Sequence, residues 1–489
     1  MGTDIVQPPD QQHDEANIPI SEPAKVRHFS PEERVRAGEA ARKETPPDAQ
    51  AAWEAPADRP DPIGLLEAQC ITRVQELVPI RYGRMLASPF AFYRGAAAVM
   101  ACDLAHTANA GLKAQLCGDA HLANFGGFGS PERDLVFDIN DFDETLPGPF
   151  EWDLKRLATS FEIVGRERGF KEKKRRSIVL GVIEEYRRAM AEFSLMRNID
   201  IWYALLDEAG IVARWGNTAK PKVIGAFSQD FAGAHHRDNA RAVEKLTSQV
   251  EGKLQVVNSP PLVVPAVELL SEADYRDLDR ELRMLIRRFR RTLQSDRRHL
   301  TERYEIVDIA RKVVGVGSVG TRCWILLFVG RDRQDTLFLQ AKEATASVLE
   351  AYLGKSQFAD HGRRVVEGQR LMQAVSDSFL GWDHWTSTFD HVSRDFYVRQ
   401  LMDWKLSLNT EKMKPSELHL YGQMCGWTLA RAHARSGDSI AITTYMGDTD
   451  VFDQALADFA VSYADQNERD YQALVAAVKS GRIKAVTGV

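Results

Sequence analysis

Leu116-Cys117-Gly118-Asp119-Ala120-His121-Leu122-Ala123-Asn124-Phe125-Gly126 carries the first chemistry in the chain. A short apolar piece runs into Gly, Asp and Asn, the pattern of a strand that ends in a loop. Asp119 and Asn124 lie five apart and can face a common point. The carboxylate can orient or deprotonate an attacking hydroxyl, and the amide oxygen can bind a hard cation. LVFDINDFDE (135–144) repeats the pattern, and its Asp141-Phe142-Asp143 begins 22 residues after Asp119. A carboxylate at a strand end beside that Asn makes a site for Mg²⁺ and a polyphosphate. Mg²⁺ takes one or two carboxylates plus phosphate oxygens in preference to an all-protein cage. Asx-type turns explain one such loop. Two loops, joined by a third element, favour a site.

The third element is Gly315-Val316-Gly317-Ser318-Val319-Gly320. A dinucleotide-binding turn needs a helix directly after the last Gly. The residues that follow, TRCWILLFVG, read as a strand. Strand, glycine loop, strand is the arrangement of a flap over nucleotide phosphates. Lys342, 22 residues beyond Gly320, sits in Leu339-Gln340-Ala341-Lys342. At the inner end of a strand it can pair the α- and β-phosphates, given a carboxylate to hold it. Glu367 on RRVVEGQRLMQA is the expected partner, with Glu350 as the alternative. Alone, the glycines read as a bulged hairpin turn and the lysine as a snorkelling surface residue. Together they read as a nucleotide site.

Four regions follow outward. Residues 1–62 hold ten of the twenty prolines and few long apolar side chains, so an extended or disordered arm is expected, a passive tail with a short helix at 31–43. Residues 63–303 read as a helical lobe bearing the catalytic and metal loops. Residues 304–415 read as a β-rich nucleotide-binding lobe of antiparallel strands. Residues 416–489 return to helix. The basic runs KEKKRR (171–176) and LIRRFRRTL (285–293) read as solvated helix faces.

The 489 residues are 44% hydrophobic and 27% charged, with a net charge of −6. This excludes wholesale disorder and makes the chain a poor candidate for general nucleic-acid binding. Five scattered cysteines form no CxxC pair, so neither a zinc ribbon nor a disulfide framework is implied. No apolar run reaches the roughly 18 residues of a membrane span. The N-terminus lacks a secretory pattern, and Val6 stands where a myristoylation signal needs Ser or Thr. A cytoplasmic protein without membrane contact is expected; oligomeric state is unreadable.

CGDAHLAN, NDFDE and PFEWDLKRLA, in that order, resemble the protein-kinase-like superfamily, especially its aminoglycoside phosphotransferase and choline kinase branch. The resemblance implies an α+β, two-lobed kinase-like fold with a small antiparallel β lobe and a large helical lobe. It makes Asp119 the catalytic base and Asn124 and Asp141 the Mg²⁺ ligands. Asp153 would start a buried helix and brace the catalytic loop. His121 matches the branch's second His, while Cys117 replaces the first. Ordinary kinases place the glycine loop, Lys and Glu before the catalytic loop; their reversed order here implies circular permutation. The helix CGWTLARAHARSGD resembles the LAxLH helix of the same branch, with His433 packed. From about 27 to 480 the chain also resembles a bacterial family known as domain of unknown function 2252, through FYRGAA, LCGDAHLANFG, NDFDETLPGPFEWDLKRLA and EGQRLMQA. The family name brings no activity with it.

The expected function is ATP- and Mg²⁺-dependent phosphoryl transfer to a hydroxyl of an unidentified small molecule. Gly315, Gly317, Ser318, Gly320, Lys342 and Glu367 would hold the nucleotide. Arg94 could reach a phosphate or substrate anion, although a structural salt bridge is the favoured reading. Acids at Asp143, Glu144 and Glu151 would suit a cationic substrate. The alternatives are a metal-dependent phosphoesterase or hydrolase drawing on His106, His121, His361, His384 and His391, a non-catalytic nucleotide-binding protein, and an AMP transferase.

Overall fold

CWILLFV and TLFLQAKEA are rich in β-branched and aromatic residues, and the turn GRDRQD separates them. They form the central strands Cys323–Val329 and Thr336–Ala344 of a six-stranded antiparallel sheet. In the computed structural model the sheet runs Gly381–Thr386, Ser393–Gln400, Thr336–Ala344, Cys323–Val329, Glu305–Lys312, Val263–Pro265. The described residues are 27–488 apart from 235–238, 251–252, 270, 387–390, 402–403, 405 and 407.

Strand side chains alternate between faces, and this sheet uses both. Leu326, Phe328, Leu339 and Val398 meet Leu282, Ile286 and Phe289 of the helix Glu272–Arg291. Ile325, Leu327 and Phe338 form a separate cluster on the opposite face. Lys342 has the parity of Phe338, and its register partner is Tyr397. The lysine therefore leaves the sheet on the face away from the covering helix.

The helical part is built on long paired helices. Pro415–Ser436 packs on Glu172–Ser194, and Val451–Lys479 on Glu151–Glu167. Two small ladders carry the chemical loops. Lys113–Leu116 pairs with Leu146–Pro149, and Phe125–Gly129 pairs with Leu135–Ile139. The architecture is thus α+β, with small antiparallel sheets and extensive helical regions.

Two expectations change. The stretch 63–303, read as mostly helical around its two strand-and-loop pieces, carries further short strands. Thr247–Val250 pairs with Lys253–Val256, and Val263–Pro265 forms the sheet's edge. Strands of three or four residues are too short for periodicity to reveal. The arm is not a passive tail over its described part. Helix Pro31–Glu44 starts with a capping box between Ser30 and Glu33, and its Gly38 packs closely on Ala441 and Thr444. Gln50 is fully buried and donates to Tyr445 Oη at 2.8 Å. Arg59 bridges Asp103 (2.7 Å) and Asp470 (2.6 Å). Small residues and a buried guanidinium dock this segment where bulky apolar side chains are lacking. Residues 1–26 of the expected arm lie outside the described residues. Among the described residues, no helix is long and apolar enough to cross a membrane.

Candidate active site

Strand Lys113–Leu116 delivers the loop that holds Asp119. Gly118 has φ +81°, and a Cβ there would stand 2.3 Å from the Glu144 carbonyl oxygen, so only glycine fits. Asp153 lies in the first turn of helix Glu151–Glu167, where a carboxylate is favoured. It accepts the N–H groups of Cys117 (2.7 Å) and Gly118 (3.0 Å). Asp153 therefore braces the loop through its backbone, and Cys117 contributes its amide. His433 is packed behind it, 3.4 Å from Asp153 and 2.9 Å from the Tyr186 hydroxyl.

Asp119 accepts Arg156 Nε at 2.6 Å. Burial raises the pKa of its carboxyl above the ordinary value, and Arg156 opposes this only in part. Arg156 also donates to the Tyr93 carbonyl (2.9 Å), which fixes it. His121 is buried 3.7 Å from Asp119. Burial pushes its pKa well down, and Arg94 and Arg156 add to that, so the ring is neutral.

Asn124 and Asp141 meet through the hairpin register. Phe125 lies opposite Ile139, and the Asn140 N–H donates to the Asn124 carbonyl at 2.8 Å. The Asn124 amide donates to the Asp119 carbonyl (2.8 Å). Its Oδ1 accepts no hydrogen bond among the described residues. Burial raises the Asp141 pKa, as does the charge of Asp143. An unpaired amide oxygen beside one carboxylate, both lining a cavity of about 630 Å³, is a donor set that fits Mg²⁺. That volume suits a small-molecule ligand.

Lys342 is buried and ion-paired with Asp143, and it stands 4.0 Å from Asp141. Asp143 also accepts the Tyr397 hydroxyl at 2.8 Å. Burial alone would raise the Asp143 pKa; Lys342 and Tyr397 outweigh that and hold it below the ordinary carboxylate value. Neither expected glutamate reaches the lysine. Glu367 lies between Arg363 and Arg370, each 3.9 Å away. Its side chain is 34% exposed against 3% for Lys342, because the helix His361–Met372 turns Val365, Val366 and Gln369 inward instead. Glu350 faces His361 (3.8 Å) and Arg364 (3.9 Å). The same helix reaches Asp143 through Arg364, which donates to the Asp143 carbonyl at 2.8 Å.

The glycine loop joins strands Glu305–Lys312 and Cys323–Val329. Gly315 and Gly320 have φ +64° and +90°. The loop is tied to the helices before it in space. Arg73 donates to Val319 O and Arg84 to Gly315 O, each at 2.6 Å, and Val74 N–H donates to Gly320 O at 2.8 Å. A Cβ on Gly317 would lie 3.2 Å from the Arg94 carbonyl. Ser318 Oγ approaches Asp143 at 3.4 Å. Arg94, Asn124, Asp141, Gly315, Ser318 and Lys342 all line the large cavity. The salt bridge favoured for Arg94 is not formed among the described residues, and its buried Nε has no partner.

Glu144 and Glu151 do not form an acidic surface with Asp143. Glu144 is held by the Val348 N–H (2.7 Å), and burial pushes its pKa up to about 7. Glu151 is fully buried against Ala110 and Gln50. The candidate metal-ligand histidines scatter: His106 faces Cys102 O at 2.9 Å and His384 faces Asp395 at 2.6 Å. Among the described residues, no three His, Cys, Asp or Glu side chains come together as a metal cage. Sequence reasoning missed Arg156, Tyr397 and Arg399. Arg156 was legible as the i+3 neighbour of Asp153 on one helix face. Tyr397 and Arg399 alternate in FYVRQ on the Lys342 face, and Arg399 donates to Asn140 O at 3.1 Å.

The family model described as "Uncharacterized protein conserved in bacteria (DUF2252)" matches residues 73–477. No curated protein and no solved structure matches the chain.

Proposed function

We propose that this chain, which belongs to that uncharacterised bacterial family, is an ATP- and Mg²⁺-dependent phosphotransferase of circularly permuted kinase-like fold. One observation carries the reading. Lys342 and Asp141, 201 residues apart in sequence, stand 4.0 Å apart on a cavity that the glycine loop and Asn124 also line. A kinase site needs these parts around the phosphates: a glycine flap, a strand lysine, and a metal-binding Asp and Asn.

Asn124 Oδ1 and the Asp141 carboxylate would hold the metal. Bound Mg²⁺ would neutralise phosphate charge. Lys342, released from Asp143, would hold phosphate oxygens. Asp119 would orient the acceptor hydroxyl. In the transfer the acceptor oxygen forms its bond to phosphorus, its proton passes to Asp119, and the bond from phosphorus to ADP breaks. Burial favours this by raising the affinity of Asp119 for a proton.

The permutation draws support from one contact. Gln115 N–H donates to Ser436 Oγ at 3.1 Å, and a Cβ on Gly437 would lie 2.9 Å from the Lys113 carbonyl. The end of helix Pro415–Ser436 thus abuts the start of the strand that leads to Asp119. A chain in the ordinary kinase order would join them there, and packing does not depend on chain order.

The test is calorimetric titration of the full chain with a non-hydrolysable ATP analogue, with and without Mg²⁺, followed by transfer assays with α- and γ-labelled ATP. Mg²⁺-dependent binding lost in Asp141→Ala, with transfer of the γ-label, is the expected result. Transfer of the α-label would make the protein an AMP transferase. Absence of nucleotide binding by folded protein would end the proposal.

A further inference from the structure

A second cavity, of about 90 Å³, shares Arg94, Asn124, Asp141 and Ser318 with the larger one. It adds Asp119 and the guanidinium groups of Arg73 and Arg81. Arg81 is 1% exposed. Its Nη groups meet only neutral acceptors: Cys70 Sγ (3.1 Å), Gln69 Oε1 (3.0 Å), Gly95 O (3.0 Å) and Leu66 O (3.4 Å). Its Nε has no partner among the described residues, and neither does that of Arg94. Arg73 donates only to the carbonyls of Gln69 (3.2 Å) and Val319 (2.6 Å). Burial, with the nearby charge of Arg81, lowers the Arg73 pKa to about 10, so the group remains a cation at neutral pH.

The carboxylates of the same cavity are largely committed. Asp119 is paired with Arg156, Asp143 with Lys342, and Glu343 with Arg322 at 3.3 Å and Arg394 at 3.6 Å. Asp141 stands beside Lys342, and burial pushes the Glu144 pKa up to about 7, so that its carboxyl is about half protonated at neutrality. Three guanidinium groups, that of Arg81 buried and those of Arg73 and Arg94 partly so, therefore lack an ion-pair partner among the described residues. Burying a cation unpaired costs several kcal/mol, a cost that a bound anion would offset. Arginine is also the side chain best shaped to fork a carboxylate or phosphate.

We propose that this smaller cavity receives the acceptor, and that the acceptor is a hydroxyl compound bearing an anionic group, held by Arg73, Arg81 and Arg94 with its hydroxyl at Asp119. The proposal rests on the phosphotransferase reading and opposes the cationic substrate that the acidic stretch 141–151 implied.

The full chain, saturated with Mg²⁺ and a non-hydrolysable ATP analogue, is titrated calorimetrically with inorganic phosphate, glycerol 3-phosphate, glycerol and choline. Inorganic phosphate and glycerol 3-phosphate should bind. Glycerol 3-phosphate should bind more tightly than glycerol or choline by about tenfold or more, the worth of a charge-assisted hydrogen bond. The preference should collapse in Arg94→Gln, and in Arg73→Gln should the first variant not fold. Equal or tighter binding of choline overturns the proposal. So does a lack of anion binding at millimolar concentration, or displacement of the anions by the nucleotide. Each of these leaves the phosphotransferase reading intact, because nucleotide binding is measured first. Failure of the nucleotide analogue itself to bind removes that reading and the acceptor assignment with it.

Discussion

Lys342 forms its ion pair with Asp143, a residue 199 positions earlier in the chain, and not with a glutamate of the helix that follows it. The pair closes the sheet onto the loop that bears Asp141. It also commits the lysine before any ligand arrives, so nucleotide binding would have to exchange one anion for another. Lys342→Met should abolish nucleotide binding. It should also lower unfolding free energy by about 1–3 kcal/mol, because Asp141 and Asp143, each about a third exposed, lose their cation and Asp143 a charge-assisted hydrogen bond. Glu367→Gln, at a half-exposed position, should shift stability by no more than about 0.5 kcal/mol and leave nucleotide affinity unchanged. Urea denaturation and calorimetry read both; a large nucleotide defect in Glu367→Gln would reinstate the glutamate.

Asp119→Asn should lower phosphoryl transfer by about 10²–10⁴-fold, the usual contribution of a general base, while the ATP analogue still binds. The amide keeps a hydrogen bond to Arg156 but cannot take a proton. Wild-type turnover by this variant would remove Asp119 from the chemistry.

Much of this arrangement was legible in the residues because it follows local patterns. CWILLFV and TLFLQAKEA read as strands through their β-branched and aromatic content, and both chemical loops follow apolar strands that end in Gly, Asn or Asp. The lysine's partner was not legible, since a contact across 199 residues leaves no periodic trace. The wrong partner could have been avoided. In HGRRVVEGQRLM the inward stripe is Gly362, Val365, Val366, Gln369 and Met372, at steps of three and four, and Glu367 is off it. Arg73 and Arg81 were missed because arginine is read as a surface residue, and only the fold reveals that Arg81 is buried and Arg73 partly so. The short strands between 247 and 265 and the docking of residues 46–59 depend on tertiary partners in the same way.

Gly320→Ala should disturb the glycine loop where Gly111→Ala does not. Both residues have positive φ, +90° and +70°. A Cβ on Gly320 would also press on Arg73 Cβ at 3.1 Å, whereas nothing lies within 4 Å of one on Gly111. Both should lose about 1–2 kcal/mol to the left-handed backbone. Only Gly320→Ala should weaken Mg²⁺-dependent nucleotide binding, because only it moves the loop against the arginines that pin it. Equal nucleotide affinity in the two variants would show that the loop does not touch phosphate.

Glu144 supplies a pH dependence with a definite sign. Its carboxyl titrates near 4.5 in the unfolded chain and is pushed up to about 7 in the fold, chiefly by burial. Between these values the folded state holds the proton and the unfolded state does not. Stability from this group therefore falls as pH rises from about 4.5 to about 7 and changes no further above that. The full change is about 3 kcal/mol, at roughly 1.4 kcal/mol per pKa unit. Glu144→Gln keeps an oxygen for the Val348 N–H and removes the titration. The variant should match wild type near pH 4 and exceed it by about 3 kcal/mol at pH 8 in urea denaturation. A difference that stays constant across this range would mean that Glu144 is ionised in the folded protein throughout, and that the smaller cavity holds its full negative charge.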